Sequence, residues 1–168
     1  MRRTFALLAA VIGMIGALAT APGAAAASSG ATGEWDQWMI NVAYPGSCLD
    51  DSSSNGLRVH TCSTASYQNG YQRWTATQYP SGGIRLRNVA TGRCLDGSSG
   101  QGLRTHTCSS EAYNNGYQRW TASTGWDGYQ WSNDAVPGDC IDMSANYGLR
   151  LHQCNFESYK AGYQGWRI

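Results

Sequence analysis

The sequence of 168 residues is poor in charge, in long apolar runs and in helical patterning. Its 12 Lys and Arg stand against 11 Asp and Glu, and so balanced a chain argues against nucleic acid, heparin or an anionic membrane as the main partner. The longest apolar run, residues 5–18, is too short to span a bilayer, so no membrane insertion is expected. No Cys-x-x-Cys pair occurs and no later stretch carries a helical stripe, which argues against a zinc site and a helical fold.

The first 27 residues have the form of a secretory signal peptide. A basic head at Met1-Arg2-Arg3 precedes the apolar run, and Ala24 to Ala27 supply the small residues of a cleavage site. Their removal from the 168 residues leaves 141, with ten basic residues against eleven acidic ones. We therefore expect one secreted domain at 28–168, whose six cysteines form structural disulfides in an oxidising compartment.

The chain does contain a threefold internal repeat with a period of 46 residues. Two cysteines 14 residues apart recur in each copy, at Cys48 and Cys62, Cys94 and Cys108, and Cys140 and Cys154. The same step relates three aspartates, the three histidines of the protein and three arginines, which are Asp50, Asp96 and Asp142; His60, His106 and His152; and Arg58, Arg104 and Arg150. The windows 31–76, 77–122 and 123–168 therefore account for almost all of the secreted part.

Each repeat alternates apolar and polar residues as strands do. In Leu57-Arg58-Val59-His60 the apolar and polar side chains fall on opposite faces, and Gly and Ser clusters supply the turns. This predicts about four short strands per repeat, roughly twelve in all. Three such units must close on one another to protect their edges, and propellers typically need four or more blades. An all-β architecture with threefold closure is left, either a β-trefoil or a β-prism.

Two motifs that recur in the repeats resemble those of a known family. The triplets Cys48-Leu49-Asp50, Cys94-Leu95-Asp96 and Cys140-Ile141-Asp142, with a Gln-x-Trp near the end of each repeat, are similar to the ricin B-type β-trefoil lectins. The motif Gly-Tyr-Gln-Arg-Trp, at residues 70–74 and 116–120, is also similar to that of the actinohivin-like, mannose-binding lectins. The resemblance covers all three repeats and implies an all-β β-trefoil with pseudo-threefold symmetry, sugar binding and no cofactor.

The resemblance also implies structural roles. The repetition and the family both favour disulfides within each repeat, Cys48–Cys62, Cys94–Cys108 and Cys140–Cys154. The family places its Gln-x-Trp residues in the interior, with the Trp in the core and the Gln bonded to backbone. This assigns a structural role to Gln72, Trp74, Gln118, Trp120, Gln164 and Trp166.

Three residues per repeat are candidate carbohydrate ligands. In the resembled family the aspartate after Cys-Leu is the main sugar contact and an aromatic residue two positions before the second Cys stacks on the sugar. These positions, with the tyrosine before each Gln, are Asp50, His60 and Tyr71; Asp96, His106 and Tyr117; and Asp142, His152 and Tyr163. The alternatives stay open: aspartates that satisfy turn amides, and histidines that lie on a polar strand face. We expect the arginines to pair with the aspartates across each hairpin, and no metal site.

Two departures from the family pattern bear on specificity. The family usually has Asn, a sugar ligand, where this chain has Tyr71, Tyr117 and Tyr163. The segment from the second Cys to the Gln is also longer than usual, and we expect it to reshape or cover the pocket. Both departures argue against galactose-type specificity.

The sequence therefore predicts a secreted lectin with up to three equivalent shallow sites. Its partners would be glycans or polysaccharides, and the protein is expected to be a monomer. Catalysis is not expected, because an active site is normally singular whereas the polar clusters here occur in triplicate. The alternatives are a protein-binding trefoil, such as a secreted protease inhibitor, and a trefoil whose sugar sites have decayed.

Overall fold

The computed structural model describes residues 31–125 and 127–168, so the signal peptide expected at 1–27 lies outside the described residues. Thirteen strands and three short helices occur in these two ranges. In chain order they are β1 (Gly33–Gln37), β2 (Ile40–Asn41), β3 (Ser47–Ser52), β4 (Gly56–Thr61), α1 (Thr64–Gln68), β5 (Trp74–Gln78), β6 (Ile84–Asn88), β7 (Cys94–Ser98), β8 (Gly102–His106), α2 (Ser110–Asn114), β9 (Trp120–Thr124), β10 (Tyr129–Asn133), β11 (Asp139–Ser144), β12 (Gly148–Gln153), α3 (Phe156–Lys160) and β13 (Trp166–Arg167).

A closed antiparallel barrel of six strands is formed when β1 and β2 are counted as one interrupted strand. Strand β5 pairs with β6, β9 with β10, and β13 with β2. These pairs are joined by the ladders β1–β5, β6–β9 and β10–β13. Because β1 and β2 are successive pieces of one edge of the barrel, interrupted only between Gln37 and Ile40, the ring closes on itself.

Three hairpins cap one end of this barrel. They are β3–β4, β7–β8 and β11–β12. The first cysteine of each repeat pairs with a barrel residue and so joins its hairpin to the barrel: Cys48 with Ile40, Cys94 with Arg87, and Cys140 with Ser132. A barrel capped by three hairpins with threefold repetition is a β-trefoil. The all-β fold class is therefore confirmed, and the β-prism alternative is excluded.

A tryptophan from each repeat joins the barrel to the cap. Trp74, Trp120 and Trp166 each begin a barrel strand and are wholly buried. Each indole Nε1–H donates to a carbonyl in a hairpin strand, that of Leu49 at 3.0 Å, Leu95 at 3.0 Å and Ile141 at 3.1 Å. Met39, Leu86 and Trp131 fill the space between them. The four tryptophans are thus the largest side chains of the core, and the cap satisfies the indole N–H groups of the three that begin barrel strands.

The glutamine two residues before each tryptophan is also buried and bonded to backbone. The Gln72 Oε1 accepts from the backbone N–H of Ser63 at 3.0 Å, and its Nε2 donates to the Thr61 carbonyl at 2.9 Å. Gln118 and Gln164 make the equivalent pairs of bonds. Each glutamine therefore ties the end of a hairpin to the segment that returns to the barrel.

Disulfides fix the same segments covalently. The pairs are Cys48–Cys62, Cys94–Cys108 and Cys140–Cys154, each with 5.0 Å between Cα atoms. Each joins the buried first strand of a hairpin to the residue that follows the second strand. A closed loop of about 15 residues is worth roughly 3 kcal/mol in the chain-entropy model, which helps a fold with few aliphatic core residues.

The sequence carries no helical stripe, yet the structure contains three short helices. A helix of five residues follows each second cysteine, and a side chain caps each N-terminus: Ser63 accepts from Ser66 N at 3.1 Å, Ser109 from Ala112 N at 3.0 Å, and Asn155 from Ser158 N at 2.8 Å. Five residues are too few to show an amphipathic stripe, so only the capping residue could have indicated a helix. Among the described residues, no helix is long and apolar enough to cross a membrane.

One buried carboxylate breaks the threefold symmetry. Asp51 has no exposed side-chain surface, and Gly97 and Met143 occupy its positions in the other repeats. Its oxygens accept from Arg93 Nη2 at 2.6 Å and Nε at 3.1 Å, and from the hydroxyls of Thr91 at 2.6 Å and Thr105 at 3.0 Å. Because these donors belong to the second repeat, Asp51 joins the first two repeats.

We expect Asp51→Ala to lower the free energy of unfolding by about 2–3 kcal/mol, since four donors lose a buried acceptor while Arg93 keeps partial access to water. Asp36→Ala is the control. The Asp36 side chain is 46% exposed, lies 3.7 Å from Arg73 and accepts from the Thr75 hydroxyl at 2.7 Å, so its loss should cost about 1 kcal/mol. Urea titrations of both variants measure the difference. Equal losses would contradict the role assigned to Asp51.

Candidate functional site

Each repeat carries a surface depression beside its hairpin, and in the second repeat an adjoining depression lies at the hairpin tip. The first has a volume of about 400 Å³ and is lined by Asp50, Ser52, Ser53, Ser54, Asn55, Arg58, His60, Ser66 and Tyr71. The second, of about 280 Å³, includes Asp96, Arg104, His106 and Tyr117, and the third, of about 220 Å³, includes Asp142, Tyr147, Arg150 and Tyr163. The three depressions therefore repeat the same Asp, Arg and Tyr.

An arginine–aspartate pair forms the floor of each depression. Asp50 lies directly opposite Arg58 in the β3–β4 ladder, so the two side chains share one face. Arg Nε donates to Asp Oδ1 at 2.9 Å in the first site, 2.9 Å in the second and 3.1 Å in the third, the later pairs being Arg104–Asp96 and Arg150–Asp142. The expected ion pair across each hairpin is confirmed.

The two partners differ in their access to solvent. The Asp50 side chain is 3% exposed and that of Arg58 is 36% exposed. The carboxylate, expected to be the main sugar contact, lies at the bottom of the depression, and the guanidinium forms more of its accessible surface. In the described parts of the chain, the terminal nitrogens of Arg58 make no hydrogen bond to protein, so they can donate to a ligand.

A buried asparagine and a backbone amide position the tyrosine of each site. The Tyr71 carbonyl accepts from Asn88 Nδ2 at 2.8 Å and from Asp51 N at 3.0 Å. Asn133 and Asn41 donate to the equivalent carbonyls of Tyr117 and Tyr163. The rings of Tyr71 and Tyr117 stay 40% and 41% exposed. The asparagines do not follow the 46-residue step, which is why the sequence did not single them out.

The lengthened segment after each second cysteine forms a wall of its depression and does not cover it. Ser66 of α1, Ala112 of α2 and Ser158 of α3 line the three sites. A tyrosine anchors each helix to an earlier segment of its own repeat. Tyr67 stacks on Trp38 with 4.6 Å between ring centroids, and the hydroxyls of Tyr113 and Tyr159 donate to the carbonyls of Gly82 at 2.7 Å and Gly128 at 2.9 Å.

Burial raises the pKa of the Tyr113 hydroxyl above its ordinary value, so the hydroxyl stays protonated and can donate throughout the neutral range. Its hydrogen bond to the Gly82 carbonyl holds the second helix in place. The wall that it forms is part of the scaffold, since the anchoring tyrosine points away from the depression toward Gly82.

The three histidines are not equivalent. His60 and His106 are exposed and line the first two depressions. His152 is half-buried and does not line the third, where Tyr147 forms the wall instead. The structure therefore does not bring His152 to its expected site. Among the described residues, no three His, Cys, Asp or Glu side chains gather as a metal site would require.

We expect Arg58→Gln to destabilise the protein more than Asp50→Asn, by about 1–2 kcal/mol, because the first leaves a buried carboxylate without its cation whereas the second leaves a hydrated guanidinium. The double variant should recover part of the loss. Urea titrations of the two single variants and the double variant give the coupling energy. Additive effects of the two substitutions would show that the pair contributes nothing.

A comparison with protein families identifies the class. The family model described as "Ricin-type beta-trefoil lectin domain-like" matches residues 27–101 and 70–153. The two matches overlap and together span well over half of the chain. The chain therefore belongs to the ricin-type β-trefoil lectin domain-like family. Among curated proteins, no sequence matches it.

Solved structures with the same fold include lectins and a designed protein. The chain matches the lectin of Polyporus squamosus, solved with a human-type influenza-binding epitope, at 14% identity and a TM-score of 0.61, over 80% of this chain and 48% of that one. It matches the hemolytic lectin CEL-III at 21% identity and 0.58, over 79% and 29%. It matches the designed threefold symmetric protein ThreeFoil at 19% identity and 0.58, over 79% and 96%.

Other structures with this fold are much larger proteins. The chain covers 16% of a mosquitocidal holotoxin and 32% of an endo-β-galactosidase from Clostridium perfringens, both at 14% identity. Identities this low show a shared fold.

Proposed function

We propose that the protein is a secreted lectin that binds carbohydrate through up to three shallow sites and has no catalytic activity. The observation that carries the proposal is the tyrosine that stands beside an arginine–aspartate pair in all three repeats. Membership of a lectin-type family supports it, as do three disulfides, which are typical of secreted domains.

The groups in each depression suit a sugar ring. The accessible guanidinium of Arg58 donates to hydroxyls, and because Asp50 neutralises its charge the site does not demand an anionic ligand. The exposed ring of Tyr71 offers an apolar surface for the C–H face of a pyranose. Serine hydroxyls on the β3–β4 turn add short polar contacts in the first site.

The absence of catalysis is proposed on the same geometry. Each depression contains an arginine–aspartate pair, and among the described residues no serine that lines a depression is hydrogen-bonded to a histidine or a carboxylate that could act as its base. Single shallow sites bind weakly, so useful affinity would come from the engagement of several glycan ends at once.

A glycan array, together with pull-downs on insoluble mannan, chitin, cellulose and xylan, tests the proposal. We expect retention on at least one of these glycans. The double variant Tyr71→Ser/Tyr117→Ser should lose at least about 90% of that retention, because two of three sites lose their platform and multivalent binding falls steeply. Its thermal midpoint should change little, since both rings are exposed.

Trp35→Ser is the matched control, because Trp35 is 37% exposed and lines none of the three depressions. It should leave retention unchanged. No retention of the unaltered protein on any glycan would reject the lectin assignment. Retention that survives the loss of Tyr71 and Tyr117 would place the binding surface elsewhere.

A further inference from the structure

The third site is built differently from the other two. Tyr44 of the first repeat packs on Tyr163, with 6.4 Å between ring centroids and an interplanar angle of 27°. The Tyr44 hydroxyl also accepts from the backbone N–H of Ala145 at 2.9 Å. The positions equivalent to Tyr44 are Ala90 and Val136, which have no ring. Tyr163 is therefore half-buried, whereas its counterparts in the first two sites are exposed.

A different aromatic residue is exposed at this site. Tyr147 lies at the tip of the β11–β12 hairpin, lines the third depression and is 70% exposed. The Arg150 guanidinium carbon lies over its ring, 4.3 Å from the centroid. Since Arg150 Nε is bonded to Asp142, the ring rests on a guanidinium that is itself held in place.

The backbone of the three hairpin tips is the same. In each repeat the tip residue equivalent to Tyr147 is followed by a glycine with positive φ. These glycines are Gly56, Gly102 and Gly148, with φ of 67°, 65° and 69°. The preceding side chain is Asn55 in the first site, Gln101 in the second and Tyr147 in the third. Equivalent positions at the three hairpin tips therefore carry different side chains. The first two repeats have an amide there, and the third has an aromatic ring.

We propose that Tyr147 is the specificity-determining residue of the third site, where it stacks against the apolar C–H face of a pyranose that the first two sites bind through Tyr71 and Tyr117. The proposal rests on the carbohydrate-binding function proposed above. It follows that the three sites have different sugar preferences. The third depends on an aromatic platform at the hairpin tip and lacks a histidine, whereas the first combines an imidazole with an amide at the tip. In the second repeat His106 and the Gln101 amide line two adjoining depressions that share Arg104 and Tyr117.

The cation–π contact explains why the ring can act as a platform. An exposed tyrosine on a turn would normally lose rotamer freedom on binding, which costs affinity. Here the guanidinium already holds one face of the ring. The opposite face of the Tyr147 ring is open to solvent. A ligand that stacks on this face would therefore contact a ring that is already ordered.

Fluorine NMR of the protein labelled with 3-fluorotyrosine reads each site separately. The resonances of Tyr71, Tyr117, Tyr147 and Tyr163 are assigned from single Tyr→Phe variants. Titration uses methyl α-mannopyranoside, methyl β-galactopyranoside and methyl β-glucopyranoside as probes. We expect at least one probe to shift Tyr147 and Tyr163 with a common Kd, and the order of the three probes at this site to differ from the order at Tyr71 and Tyr117.

The decisive variant is Tyr147→Ser. The Kd measured at Tyr163 should rise about fivefold to tenfold, the range expected for the loss of one aromatic stacking contact. The Kd values at Tyr71 and Tyr117 should stay within about twofold, given the separation of the sites. Tyr147→Phe should retain third-site affinity because it keeps the ring, and the matched change Gln101→Ser should leave the third site unaltered.

The outcomes separate this proposal from the lectin assignment. Shifts at Tyr71 and Tyr117 with Tyr147 silent, or a third-site Kd that Tyr147→Ser leaves unchanged, would overturn the role of Tyr147 and leave the lectin assignment standing. Silence of all four resonances with every probe, together with no retention on the glycan array, would overturn both.

Discussion

The three indole hydrogen bonds between barrel and cap are the interaction on which the rest of the structure depends. Trp74, Trp120 and Trp166 are among the largest side chains of the core, and each satisfies its buried N–H with a hairpin carbonyl. In each repeat, this hydrogen bond therefore fixes the position of the hairpin relative to the barrel. Without it, an indole N–H and a carbonyl would both be buried unpaired, at a cost of about 1–3 kcal/mol each.

The same anchor positions the binding surface. Tyr71 lies three residues before Trp74 and directly before Gln72, and both of these neighbours are wholly buried and hydrogen-bonded. The backbone of Tyr71 is held further by the side chain of Asn88. An exposed ring is thus carried on a short stretch of chain that has almost no freedom. A ligand that stacks on it would lose little affinity to the ordering of the protein.

The sequence predicts the features that recur in every repeat, and the structure adds the features that occur in one repeat only or that depend on contacts between repeats. The 46-residue step predicted an all-β fold with threefold closure, and the resemblance to the ricin B-type family selected the β-trefoil. The same step indicated the Arg58–Asp50 type of pair and the tyrosine of each site, since all of them recur in register. It could not indicate the five-residue helices, which are too short for a periodic pattern, or Asp51, whose partners lie in another repeat. The covering of Tyr163 by Tyr44 also joins residues that are 119 positions apart in the sequence, and no local pattern encodes such a contact.

The central claim is that the three tyrosine-bearing depressions bind sugar. A crystal structure of the protein soaked with the glycan that it retains best would test it most directly. The account predicts sugar density against the rings of Tyr71 and Tyr117, with hydroxyls within hydrogen-bond distance of the guanidinium groups of Arg58 and Arg104. Density confined to the opposite end of the barrel, with all three depressions filled only by water, would contradict it.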